Sequence, residues 1–230
     1  MWEFPMLWPL LGTLVCVAFA VALARQYLQR RRPYLLLWAI ALVLYAVASF
    51  SLLLGALDGW TDAEYRAFWL FGAALTVPYL AAGEVFLLAR RGWLTTLVLL
   101  VLAFATAFAF NRIRTAMIDE EALVADLPRG SEVFAADPFV LTLARVMSTV
   151  AYVALIVGTL WSAWRMRGAP ELRSRLVGTA LIALGATVVA AGSVFAATGN
   201  LVGFSLLNTV GVCAMFWGFL RASTPVASHS

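Results

Sequence analysis

Apolar residues run along this chain in seven blocks separated by short polar breaks. The blocks lie near residues 6–24, 34–57, 65–89, 93–110, 138–164, 176–197 and 202–221. Each approaches or exceeds the roughly 20 residues that an α-helix needs to cross the hydrocarbon core of a bilayer. Lipid offers no water to backbone N–H and C=O groups, so segments of this kind must bond internally, as helices. The pattern predicts an all-α integral membrane protein: a seven-transmembrane helix bundle forming a single domain over residues 1–230. No positive segment precedes the first block and its arginines follow it, so it reads as a span rather than a cleavable signal peptide.

Polar breaks set the direction of the bundle. Arg25, Arg30, Arg31 and Arg32 follow the first span, and Arg90 and Arg91 the third. Arg165, Arg167, Arg173 and Arg175 lie between the fifth and sixth, and Arg221 ends the seventh. The opposite loops hold only Arg66, Arg112, Arg114 and Arg129. Positive charge stays in the cytoplasm, which predicts an N-terminus outside and a cytoplasmic C-terminus. The acids mirror this, with only Glu171 in an inner loop.

Composition sharpens the class. Only 12% of residues are charged, where a soluble domain carries roughly 25%. The seven spans leave no room for a soluble catalytic domain. The net charge of +4 comes from loop arginines, so it signals orientation and not nucleic-acid binding. All basic residues are arginine, and the alanine–leucine–arginine bias suggests a high-GC bacterium and its cytoplasmic membrane.

The longest polar stretch is the outer loop 111–137, with Asp119, Glu120, Glu121, Asp126, Glu132 and Asp137 and a Pro128-Arg129-Gly130 turn. A surface helix over 115–127, a lid, or a solvated connector all fit it. Asp137-Pro138 reads as an N-cap and first helical residue.

Spans one to three and five to seven follow the same path: an arginine-rich inner loop, then a short outer turn. Ala48-Ser49-Phe50 and Gly192-Ser193-Val194 stand at comparable heights, while Trp93 to Phe110 is almost wholly Leu, Val, Ala and Phe. A lipid-facing connector between two parallel three-helix units is expected. In topology the chain resembles the three-plus-one-plus-three families, which include the SWEET and PQ-loop transporters and the microbial rhodopsins. That resemblance implies a seven-helix ligand-binding bundle. It departs from both patterns: no Pro-Gln pair occurs, and the retinal-bearing lysine of the rhodopsins is absent.

Glycines at 178, 185, 192 and 199 recur at heptad intervals in the sixth span, with Gly211 and Gly218 in the seventh. Such spacing stacks them on one face, where small residues let helices approach closely in lipid. The tryptophans cluster at span ends: Trp2, Trp8, Trp60 and Trp69 outside, Trp38, Trp93, Trp161, Trp164 and Trp217 inside. That distribution is expected of interfacial belts.

Two charged residues fall clear of the span ends, and intramembrane charge is a candidate functional site by default. Arg145 lies about two turns into the fifth span. Thr13, Ser49, Ser51, Ser193, Ser205 and Asn208 fall at similar depth, with Tyr45 and Tyr152 slightly deeper. A polar ligand chamber is expected from Arg145, Asn208, Ser49, Ser193, Tyr152 and Tyr45, its guanidinium suited to a carboxylate or phosphate. The competing readings are snorkelling, or pairing with Asp137 or Glu132. Glu84, near the inner end of the third span, is the candidate proton site or gate, with Trp38, Thr159 and Trp161 at its level. Pairing with Arg90 or Arg91 is its alternative. Pro78 should loosen the helix between.

No metal or cofactor is expected. The single histidine, His229, lies in the C-terminal tail, and Cys16 and Cys213 read as packing residues within spans. Hydrolase, zinc and phosphate-loop motifs are missing, so an enzyme is not expected. The reading that fits best is binding, and transport, of a small anionic or lipid-like ligand. A signalling bundle with a partner, or an accessory subunit docking on a membrane-protein partner, are the alternatives; membrane lipids are expected contacts throughout.

Overall fold

The computed structural model describes residues 4–89, 91–167 and 173–223. Readings that fall on Trp2, Arg90, Glu171, His229 and the side chains of Arg173 and Arg175 lie outside the described residues.

Among the described residues there are seven long helices: α1 (Phe4–Arg30), α2 (Pro33–Asp58), α3 (Asp62–Leu88), α4 (Gly92–Thr115), α5 (Pro138–Met166), α6 (Arg173–Ala197) and α7 (Leu201–Ser223). Each is long and apolar enough to cross a bilayer, and the chain is a multi-pass helical membrane protein. Helices overrun the apolar blocks where polar residues find partners. α4 continues to Thr115, since Ile113 is buried and Arg112 pairs with Asp137 at 2.8 Å. Residues 111–115, expected in the loop, therefore belong to this helix.

The helix starts obey local rules. Pro33 opens α2 and Pro138 opens α5, where a missing N–H costs nothing. Asp137 precedes α5 as expected but makes no capping bond; its carboxylate is held by Arg112. Thr61 caps α3 through a reciprocal box with Glu64.

Packing places α1, α2, α3, α5, α6 and α7 in a closed ring, in that order, with α7 returning to α1. α4 touches α3 and α5 from outside the ring. Its Leu100, Val101 and Phe104 are exposed, as befits a helix solvated by acyl chains.

The glycine face expected on α6 holds for Gly178, Gly185 and Gly192, whereas Gly199 lies past the helix end at φ +73° and faces Arg129 and Leu127 of the segment between α4 and α5. A Cβ at Gly185 would lie 2.9 Å from the Met215 nitrogen of α7, and one at Gly211 would lie 2.7 Å from the Gly185 carbonyl. Backbone meets backbone there.

The segment between α4 and α5 caps one end of the ring, here termed the loop end. It folds as a 3-10 turn (Glu121–Val124) and a short helical turn (Gly130–Val133) rather than a helix over 115–127. Nor is it a solvated connector. Leu123, Leu127, Val133 and Phe134 are buried, and Tyr65 donates to the Pro128 carbonyl at 3.1 Å. Trp60 donates to the Asp126 carbonyl at 3.1 Å and stacks edge-on against Tyr65. The tryptophans do not all form interfacial belts. Trp93, Trp161, Trp164 and Trp217 are exposed as a belt should be, but Trp60 is buried under the cap and Trp69 packs on Phe134.

Candidate functional site

Among the described residues, Glu84 is the one carboxyl buried within the ring. It points from α3 toward α5 and is only 4% exposed. Its room comes from Gly158 of α5, where a Cβ would stand 2.6 Å from Glu84 Cγ and 3.2 Å from Leu88 Cδ1. Thr159, the next residue, is buried but spends its hydroxyl proton on the Leu155 and Ile156 carbonyls of its own helix. Among the described residues, the Glu84 carboxyl has no hydrogen bond and no ion pair. The Arg91 pairing is not formed.

On its other side α3 is closed by α2. The Trp38 indole lies across Gly83 and donates to the Leu80 carbonyl at 3.0 Å. Trp38 and Thr159 thus flank the carboxyl's helix turn, as level-counting expected. Trp161 does not: it is exposed and packs at a tilt against Trp164.

The upper part of α3 is not an ordinary α-helix. Phe68–Leu75 is wound as a π-helix, ahead of Pro78. Proline has no N–H, so the carbonyl four or five residues before it, Ala74 or Ala73, loses its donor. The Ser148 hydroxyl of α5 donates to the Ala73 carbonyl. The Thr76 backbone N–H and hydroxyl both turn to Phe71. A π stretch often marks a functional position in a helix. Sequence reasoning expected loosening at Pro78 but had no signal for the wider winding or for Ser148.

The polar layer at Arg145 is dispersed by the structure. Arg145 and Ser193 are exposed on the ring's outside; Ser49 and Asn208 are buried within helix contacts. The small hydroxyls have another task. Ser49 of α2 donates to the Pro9 carbonyl at 3.0 Å, and Thr209 of α7 donates to the Trp8 carbonyl at 2.8 Å. Thr13 bonds the Pro9 carbonyl of its own helix. Gly12 admits this junction: a Cβ there would meet the Thr209 hydroxyl at 3.1 Å and that of Ser49 at 3.2 Å. These residues staple α1 to α2 and α7.

Asn208 donates to the Phe204 carbonyl at 2.8 Å, beside Gly192. Ser193 donates to Ala190, and Tyr152 meets Thr187 at 3.0 Å. Tyr45 packs against the buried cluster that holds Cys16, Phe19 and Leu42, and its hydroxyl makes no hydrogen bond among the described residues. The two acids offered as partners for Arg145 are occupied: Asp137 by Arg112 and Glu132 by Arg129, each at 2.8 Å. Cys16 is buried, Cys213 is exposed, and both are free thiols. No metal-ligand cluster occurs among the described residues.

Compared with protein-family models, with curated proteins and with solved structures, this chain finds no match.

Proposed function

We propose that the protein is a proton-linked carrier of a small or lipid-like solute, with Glu84 as the group that gains and loses the proton. The observation that carries this reading is the enclosed, unpartnered carboxyl against Gly158. An intramembrane acid that lacks a structural partner is costly unless its protonation is used. Charging it favours water and a wider gap between α3 and α5; neutralising it favours the close contact. The π segment and Pro78 on the same helix supply a place where that movement can be absorbed. Arg145 does not belong to the carried-solute site in this proposal, because its side chain is outside the ring.

Other features support a carrier. The ring order α1-α2-α3-α5-α6-α7, with α4 outside, is what two parallel three-helix units joined by a connector would give. Arginines 25, 30, 31, 32, 91, 165, 167 and 221 lie at the end opposite the cap, which supports a cytoplasmic face there and an N-terminus outside. A bacterial cytoplasmic membrane suits the arginine-only composition.

The test is uptake in proteoliposomes of a panel of sugars, amino acids, carboxylates and lysophospholipids under an imposed pH gradient. At least one solute should enter in a gradient-dependent manner, and Glu84→Gln should abolish that dependence. Equal uptake by wild type and Glu84→Gln, or no movement of any solute, would count against the carrier.

A second reading is an accessory subunit. It is favoured by the cap, a folded surface bearing exposed Asp119, Glu120, Glu121 and Asp126 to which a basic partner could dock.

A further inference from the structure

A charge without a partner stands beside α6. Arg145 is seven residues, about two turns, from Tyr152 and therefore on the same face of α5. The Tyr152 hydroxyl meets that of Thr187 on α6 at 3.0 Å, so this face turns toward α6. Above that contact the two helices present exposed residues to each other: Arg145 and Thr149 on α5, Thr187, Ala191 and Val194 on α6. The seam between the two helices is thereby lined by exposed residues, apolar at Ala191 and Val194, and a groove there would open to the acyl layer.

Arg145 makes no ion pair, hydrogen bond or aromatic contact among the described residues. A guanidinium is a cation, and a charge in the hydrocarbon layer requires a counter-charge or water. The acids nearest in the chain are already engaged by Arg112 and Arg129. No acid among the described residues pairs with Arg145, so a counter-ion for it would be one from outside the protein.

We propose that this seam seats a glycerophospholipid, its phosphodiester held by the Arg145 guanidinium and an acyl chain running past Ala191 and Thr187 to Leu184. Arg145 lies about 10 Å along α5 from its first residue, and its flexible stem reaches back toward the end of the helix, where phosphates lie. The planar fork matches two phosphate oxygens. A lipid is favoured over free phosphate because the seam is open to the acyl layer, where a bare inorganic anion would lose its hydration. Charge complementarity supplies the recognition and the exposed Ala191, Val194 and Leu184 supply the apolar track. This inference does not rest on the carrier reading, since Glu84 takes no part in it.

The experiment is native mass spectrometry of the full-length protein in mild detergent with palmitoyl-oleoyl phosphatidylglycerol. A single-lipid adduct is expected, reduced about tenfold in Arg145→Ala, the effect of losing a charge-assisted pair. Arg145→Lys should keep part of it. A diacylglycerol without phosphate should give no comparable adduct, and millimolar inorganic phosphate should not displace the lipid. Should Arg145→Ala fold poorly, Arg145→Gln provides the same comparison. Equal adducts on wild type and variant, equal binding of diacylglycerol, or displacement by inorganic phosphate would each overturn the proposal, the last by making this a free-anion site.

Discussion

Gly158 of α5 stands directly against the side chain of Glu84 on α3, leaving 3.3 Å between the place of a Cβ and the carboxyl Oε1. Glycine weakens a helix by roughly 0.5–1 kcal/mol relative to alanine. At this position it allows two helices to close over an acid, where a Cβ would meet Glu84 Cγ at 2.6 Å. The contact couples what the carboxyl does to where α5 sits.

Gly158→Ala should therefore destabilise the fold by about 1–3 kcal/mol, the usual range for overpacking. The penalty should shrink when Glu84→Ala removes the atoms that collide. A double-mutant cycle read by thermal unfolding in detergent is expected to show coupling of about 1 kcal/mol or more. Strict additivity would show that the two side chains do not share space.

The α6–α7 seam separates two glycines that look equivalent in sequence. A Cβ at Gly185 meets backbone, with the Met215 nitrogen at 2.9 Å, whereas one at Gly192 finds the Asn208 amide at 3.3 Å and Leu207 Cβ at 3.4 Å. Backbone cannot step aside; an amide tip can. Gly185→Ala should lower stability by about 2–3 kcal/mol and Gly192→Ala by less than about 1 kcal/mol. Comparable losses in the two variants, measured by unfolding midpoint, would contradict this.

Span positions were legible because the bilayer requires long apolar helices, and such stretches stand out at any register. The isolation of Glu84 was legible too, since an acid among apolar residues marks itself. Its partner was not. Gly158 looks like any small residue of a span, and only the approach of α3 to α5 gives it meaning. The supposed chamber failed for a related reason. Counting depth along each span cannot show which way a side chain faces, so it grouped exposed Arg145 with buried Ser49 and Asn208. A lid was one of the readings open for the loop, but its anchors were not legible, because Leu123, Leu127, Val133 and Phe134 are scattered among acids without a helical period. Turns, not a helix, bring them together.

Ser148 compensates for Pro78 by donating to the Ala73 carbonyl. Ser148→Ala should leave that carbonyl unpaired in a poorly hydrated place, at about 1–3 kcal/mol. In a Pro78→Ala background residue 78 regains an N–H, so the same substitution should cost less. Unfolding measurements on the four proteins decide it; an unchanged Ser148→Ala effect in that background would detach Ser148 from the proline.

The cap is fastened by groups of very different burial, which makes its stability separable. Tyr65 is fully buried and its hydroxyl holds the Pro128 carbonyl at 3.1 Å. Tyr65→Phe keeps the ring contacts with Trp60 and Phe134 but orphans that carbonyl, an expected loss of about 1 kcal/mol. Arg129–Glu132 joins two half-exposed side chains, at 49% and 51%, and surface pairs contribute roughly 0–1 kcal/mol. Arg129→Ala should change little. Amide exchange across 116–137 is the informative measurement, because a cap can loosen while the helices stay folded. Tyr65→Phe is expected to speed exchange there about fivefold, as 1 kcal/mol implies, and to leave α6 and α7 unaffected. If exchange in 116–137 were already unprotected in the wild type, the buried tyrosine bond would not be what holds the cap down.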